Sequence, residues 1–256
     1  LRLKLAGSSL SNLYPLTGVT LPDSPPYSTD GHLIARLHEP GGAVFTYENF
    51  NGKIGNSDIH GDLTYAASQP RPKLSGKLVS NQLLMADLGP LIGVDSKQQP
   101  KTAGGASKQP AGKVLPVEEF RTERWRDMDA DVEFTGKRIV QSAELPFTDL
   151  YTHLVLNEGE LSLEPLRFGV AGGKLDAQIR LNGRSTPLVG RAKLTARNFK
   201  LKQLFPTFEP MKTSFGELNG DAEISGRGNS VAKLLGTSNG GLKMIVNDGA
   251  ISRSLM

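Results

Sequence analysis

The chain has 256 residues, enough for one large domain or two small ones, and its 38% apolar residues together with 29 glycines argue for a folded chain rather than a disordered one. With no cysteine it has no disulfide, thiolate metal site, iron–sulfur cluster or cysteine nucleophile. Thirty Lys/Arg against 26 Asp/Glu give a dispersed net charge of +4, too mild to argue for nucleic-acid binding, though an anionic membrane surface would not repel it.

The chain opens on Leu1, Leu3 and Leu5 in strand-like alternation, so it reads as a segment of something longer and not as a signal peptide. Similar period-two runs follow at Leu33–Leu37, Val44–Phe50, Ile54–Tyr65 and Leu74–Ser80. The most apolar stretch, Leu83–Val94, is shorter than the roughly 20 residues a membrane helix needs and contains Asp87. Residues 94–115 are rich in Pro, Gly, Lys and Gln, have no apolar period, and read as a flexible loop between β-rich blocks at 1–93 and 116–256 that continue one sheet.

Beyond the loop, Val132–Val140 is a further strand, and the clearest pattern is Thr152–Ala196. Leu154, Leu156, Leu161, Leu163, Leu166, Phe168, Val170, Leu175, Ile179, Leu181, Leu188 and Leu194 fall on one face. Turns are expected at Asn157-Glu158-Gly159, Gly172-Gly173 and Asn182-Gly183, and polar residues such as Gln178, Arg180 and Lys193 take the other face. This predicts an antiparallel meander with one dry side. Asp221–Ser225 and Leu242–Ile251 complete roughly 12 strands, a ladder on the order of 60 Å long. The fold class is mainly β: an extended, curved, antiparallel sheet shaped like a groove, with a few short helices.

A repeat marks the strand ends. Leu78–Pro90 superimposes without gaps on Leu194–Pro206, and Leu3–Leu13 and Ile224–Leu234 keep the same spacing: a strand, a short amphipathic helix, then a breaker. No helix is long enough to serve as a lid, so the apolar face must be covered by a second sheet, by closure into a barrel, or by bound lipid.

Other motifs read as structural. Asp127, Asp129 and Asp131 have calcium-loop spacing, but Val132 stands where a Gly is needed and Arg138 where a bidentate Glu belongs. Gly226-Arg227-Gly228-Asn229-Ser230 lacks the Lys-Ser/Thr of a phosphate loop and reads as a turn plus N-cap. His32, His38, His60 and His153 are scattered, and there is no Gly-x-Ser-x-Gly elbow. Arg121, Arg124 and Arg126 with Phe120 and Trp125 read as an amphipathic element docking its aromatics. No catalytic residue, metal site or cofactor is assigned, and the chain reads as a non-enzyme.

Three stretches resemble the AsmA family of Gram-negative envelope proteins. The first is Gly7-Ser8-Ser9-Leu10-Ser11-Asn12-Leu13-Tyr14-Pro15-Leu16-Thr17-Gly18 with Leu21-Pro22-Asp23-Ser24-Pro25-Pro26-Tyr27. The second is Asn51-Gly52-Lys53-Ile54-Gly55-Asn56-Ser57-Asp58-Ile59-His60-Gly61-Asp62-Leu63, leading to Arg71-Pro72-Lys73-Leu74-Ser75-Gly76 and Ala86-Asp87-Leu88-Gly89-Pro90. The third, similar to the family's C-terminal signature, is Gly220-Asp221-Ala222-Glu223-Ile224-Ser225-Gly226-Arg227-Gly228 through Asn247-Asp248-Gly249-Ala250-Ile251.

The resemblance implies a periplasmic, β-rich body held to the inner membrane by an N-terminal anchor missing from this chain. It also implies a taco-like sheet shielding the acyl chains of phospholipids, in support of outer-membrane homeostasis and with a possible outer-membrane partner protein. The alternative function is a scaffold that influences outer-membrane protein assembly through edge-strand pairing. An enzyme acting on envelope glycans or lipids would need a carboxylate cluster in a cleft, with Asp127, Asp129 and Asp131 its best candidates.

Overall fold

A computed structural model describes residues 1–19, 21, 23–84, 87, 119–120, 122, 124–140, 147–204 and 215–250. The expected loop at 94–115 lies outside these.

The first meander runs through β1 (Arg2–Gly7), a 3-10 turn (Leu10–Leu13), α1 (Tyr14–Thr17), β2 (Tyr27–Arg36), β3 (Val44–Ile54), β4 (Ser57–Ala66), β5 (Lys73–Ser80) and the two-residue β6 (Leu83–Leu84). The second comprises β7 (Asp129–Val140), β8 (Phe147–Asn157), β9 (Glu160–Val170), β10 (Gly173–Asn182), β11 (Val189–Lys200), α2 (Leu201–Leu204), β12 (Phe215–Arg227), α3 (Val231–Gly236) and β13 (Asn239–Ala250).

All the strands join one 13-stranded sheet in which neighbours in sequence are neighbours in space, with β6 beside β7 off the main path. Every pair on that path is antiparallel except β5–β7, which is parallel, as is β6–β7. The sheet is antiparallel as expected apart from this seam. The chain enters β7 through residues 124–128 at the end where β5 began, and Asp129 N–H donates to Pro72 O at 2.9 Å. A parallel pair needs such a crossover.

Turn chemistry sets the tight hairpins. Glu158-Gly159 and Ala171-Gly172 hold φ values of 51°, 80°, 51° and 73°, the paired left-handed geometry of a two-residue turn whose twist matches the flanking strands. Three strands carry a residue at positive φ where the register shifts: Asn49 in β3, Asp149 in β8 and Asn198 in β11. Asn49 and Asn198 sit at φ 49° and 60°, each as the extra residue of a bulge, and each is followed by a buried phenylalanine, Phe50 or Phe199. The bulged N–H of Asn49 donates to Asp62 Oδ1 at 2.7 Å, and that of Asn198 to Asn219 Oδ1 at 3.0 Å. One polar side chain on the partner strand thus satisfies the amide that the ladder leaves unpaired.

Among the described residues fully buried apolar side chains are few, and a buried cluster is formed by Val170, Ala171 and Phe199 with Phe147, Phe168, Leu175, Ala196 and Leu218 around it. Among the described residues the sheet is a single layer with no second sheet against it, which leaves most of its side chains half-buried or exposed.

Candidate functional site

Opposed residues in paired strands point to the same side of a sheet, so the register lays out each face row by row. The central row of one face comprises Leu33, Tyr47, Leu63, Gly76, Val132, Leu154, Leu163, Ile179, Ala192, Ile224 and Gly240. No member is charged, and it crosses both meanders and the parallel seam. On one side runs Phe45, Tyr65, Leu74, Ala130, Leu156, Leu161, Leu181, Gly190 and Gly226. On the other runs Leu78, Phe134, Thr152, Leu166, Ala177, Leu194, Ala222 and Leu242. Two shorter rows follow: Phe168, Leu175, Ala196, Gly220 and Met244, then Ile139, Phe147, Val170 and Gly173.

The structure therefore brings eleven of the twelve sequence candidates onto this face. Ten of them, Leu154, Leu156, Leu161, Leu163, Leu166, Phe168, Leu175, Ile179, Leu181 and Leu194, are half-buried, while Val170 is buried in the cluster at one lip. Leu188 departs from the set. It lies ahead of β11, is only 1% exposed, and is pinned by Asn229 Oδ1 accepting its N–H at 3.0 Å, so it packs under a loop and is no part of an open lining.

The share of the face supplied by β2–β5, β7 and β12 was not singled out from sequence: Tyr47, Leu63, Val132 and Ile224 in the central row, and Tyr65 and Phe134 beside it. The signal was present as alternation, but the Asn49 bulge shifts its phase and glycines punctuate it.

Short segments cover parts of the face despite the lack of a long helix. Gly18 approaches the Tyr65 hydroxyl, and Arg124 lies 3.9 Å over the Tyr14 ring. Trp125 packs on Gly183, as expected for a docked aromatic. Helix α3, with Ser230 Oγ accepting from Lys233 N–H at 3.2 Å as its N-cap, sits on Gly190 and Gly226. A Cβ on Gly226 would lie 2.1 Å from Leu234 O. Gly226→Ala is therefore expected to lift α3 and cost about 1–3 kcal/mol, read as a lower melting temperature and faster proteolysis between residues 228 and 238.

The opposite face is a lattice of exposed and half-exposed ion pairs: Lys73 with Asp131 at 3.1 Å, Lys77 with Glu133 at 3.1 Å, Arg167 with Asp176 at 2.6 Å, and Lys193 with Glu223 at 3.5 Å. Two of the three acids with calcium-loop spacing, Asp129 and Asp131, belong to it, while Asp127 accepts from the Tyr14 hydroxyl at 3.5 Å. Asp129 accepts from Arg71 and from Glu158 N–H, and Asp131 accepts from Lys73 and from His153 Nε2 at 2.8 Å. The bonds from His153 and Lys73 hold the Asp131 carboxyl below the usual range. Among the described residues no group of three His, Asp or Glu is placed to hold a metal.

One acid has a more central structural task. Asp58 on β4 accepts at Oδ1 from Gln82 N–H (2.6 Å) and Ser80 Oγ (3.1 Å), and at Oδ2 from His60 Nε2 (2.6 Å), Asn81 N–H (3.1 Å) and Asn81 Nδ2 (2.9 Å). Burial pushes its pKa up, but the backbone donors of Gln82 and Asn81 and the His60 bond outweigh burial and hold it well below the ordinary value.

The architecture and both faces can now be set against known proteins. The AsmA family profile matches residues 3–254. The chain belongs to the AsmA family. It is 54% identical to the AsmA family protein YhjG of Escherichia coli (strain K12), over all of this chain and 38% of that protein. The chain thus spans about two fifths of the curated relative it matches. No solved structure matches it significantly. AsmA proteins are membrane-associated envelope proteins, and membership points to a role in outer-membrane and lipid homeostasis. Among the described residues of this AsmA chain no helix is long and apolar enough to cross a membrane.

Proposed function

We propose that the apolar face is a trough that holds the acyl chains of phospholipids, and that the chain is a passive lipid-binding or lipid-conducting module of a longer envelope protein. In that protein an N-terminal anchor outside this segment would hold it to the inner membrane, with the trough in the periplasm. The observation that carries the reading is the uncharged central row, unbroken across both meanders and the seam. Half-buried side chains along it leave apolar surface that only another apolar body can cover.

Each methylene removed from water contributes about 0.8 kcal/mol, whether the surroundings are a bilayer or this row. Moving an acyl chain between them is then close to balanced, which suits a conduit without an energy source. The roles are binding and shielding, and no reacting group is assigned.

The test is mass spectrometry of organic extracts from the purified chain. Phospholipid recovered at a fixed ratio to protein is expected; extracts without phospholipid from chain purified in the absence of detergent would overturn the reading.

A second reading is carried by β13, which among the described residues pairs only with β12 and exposes Leu242, Met244 and Ile245 at 63%, 60% and 65%, apolar on both of its sides. Such an edge can accept another strand, as a scaffold for outer-membrane protein assembly would require. Lipid-free extracts together with capture of an extended peptide on β13 would favour it.

A further inference from the structure

The two edges of the sheet are guarded differently. Among the described residues β1 pairs only with β2, and it is six residues long. The Leu1 ammonium donates to Leu33 O at 3.0 Å and Leu33 N–H to Leu1 O at 2.7 Å, so the odd residues of β1 bond β2, and Arg2, Lys4 and Ala6 turn their N–H and C=O groups outward. Arg2 and Lys4 are exposed and paired with Asp30 at 2.8 and 3.4 Å, and charges on an edge discourage the approach of another strand.

The β13 edge has no such guard. Its register with β12 runs unshifted from Asn239 to Asn247, and that stretch contains no proline and has Lys243 as its one charge. Gly228 N–H donates to Leu188 O at 2.9 Å, which sets the even residues of β12 from Gly220 to Gly226 toward β11 and leaves Asp221, Glu223 and Ser225 to bond β13. Lys243 and Ile245 therefore bond β12, and the N–H and C=O groups of Leu242, Met244 and Val246 line the free edge. The same stretch carries the exposed side chains of Leu242, Met244 and Ile245.

We infer that β13 pairs with β13 of a second copy of this chain, antiparallel about a two-fold axis at Met244, so that the two sheets join edge to edge with both apolar faces on one side. The edge is self-complementary in that register. Centring on Met244 sets Leu242 opposite Val246 of the second copy and Lys243 opposite its Ile245, and the Met244 N–H and C=O groups bond their own counterparts. Centred one residue earlier, Lys243 would face Lys243; centred one residue later, Leu242 would face Asp248. The apolar rows that reach Gly240, Leu242 and Met244 then run on into the second copy. This pairing goes beyond the acyl-chain reading and does not depend on it.

The experiment measures the mass of the intact chain in solution by light scattering as its concentration rises, and a monomer–dimer equilibrium is expected. Met244→Lys brings two ammonium groups together at the axis and should raise the dissociation constant at least about tenfold, whereas Ala6→Lys, the same change of charge on the β1 edge, should leave it unchanged. Because the chain has no cysteine, Met244→Cys supplies one thiol per copy, with about 5.5 Å between the two Cα atoms across the axis, within disulfide range. Added diamide, which takes up the two electrons and two protons of the thiols, should link this variant into dimers and leave Ala6→Cys unlinked. Leu163→Asp is remote from β13 and should keep the dimer; its loss there would mean that two apolar faces close on each other, and would overturn edge pairing. Equal cross-linking of both cysteine variants would overturn it too. A chain that stays monomeric at every concentration would also overturn it, and if that chain captured an extended peptide on β13, the edge would belong to another protein's strand.

Discussion

Leu163→Asp is expected to cut the phospholipid recovered from the chain at least tenfold while leaving the fold in place. Leu163 stands in the middle of the central row, opposite Leu154 on β8 and Ile179 on β10. Its side chain is half-buried, so the loss of apolar contact costs the protein about 1–2 kcal/mol and water can still reach the new carboxylate. An acyl chain along that row would have to cover the charge or break its contact there, and covering an unpaired carboxylate costs several kcal/mol. The control is the adjacent residue. Ser162 points to the polar side, opposite Val155 and Arg180, and Ser162→Asp should change neither lipid recovery nor stability appreciably. Equal lipid recovery from both variants would show that the apolar face is not where lipid sits.

Asp58→Ala should have the largest effect on stability. It removes the acceptor for two backbone amides and three side chains at the β5–β6 break, and amides left without a partner there cost more than the bonds themselves contribute. With the side chain 24% exposed, water repairs part of the damage, which leaves about 2–4 kcal/mol, or roughly 5–10 °C in melting temperature. The pH dependence has a definite sign. The folded state holds this carboxyl below its unfolded value near 3.8, so its contribution is complete above that value and is lost as pH falls through it toward the folded one. Melting temperatures measured from pH 7 to 3 should therefore fall more steeply for the unaltered chain than for Asp58→Ala. Parallel curves would contradict this account of the site.

The second meander was legible in the sequence because its leucines recur at every second position between clear turns at Glu158-Gly159 and Gly172. They identify β9 and β10 closely, whereas β8, read from Thr152, begins at Phe147 beyond a register shift at Asp149. The first meander was harder to read for a local reason. Asn49 adds one residue to β3, so Tyr47 and Phe50, three apart, face the same side, and a period-two reading ends the strand at Phe50 when it continues to Ile54. The parallel seam had no local signature at all. Nothing in the composition of Lys73–Ser80 or Asp129–Val140 distinguishes a parallel neighbour from an antiparallel one, since that choice depends on where the intervening chain travels. The candidate lining was legible as a pattern, and Leu188 was misplaced because an apolar residue immediately before a strand keeps the alternation without sharing the ladder.

The paired bulges have a consequence for how such a sheet can change length by insertion and deletion. Each inserts one residue and so inverts the parity of everything beyond it, which lets Phe50 and Phe199 point inward where a regular strand would turn them to solvent. Loss of Asn49 alone would turn Phe50 and Ile54 to water and Lys53 to the apolar side, and loss of Asn198 would exchange Phe199 and Lys200 in the same way. Single-codon indels are therefore tolerable at hairpin tips such as Arg184–Pro187 and ruinous within a strand, unless a second change of one residue restores the phase.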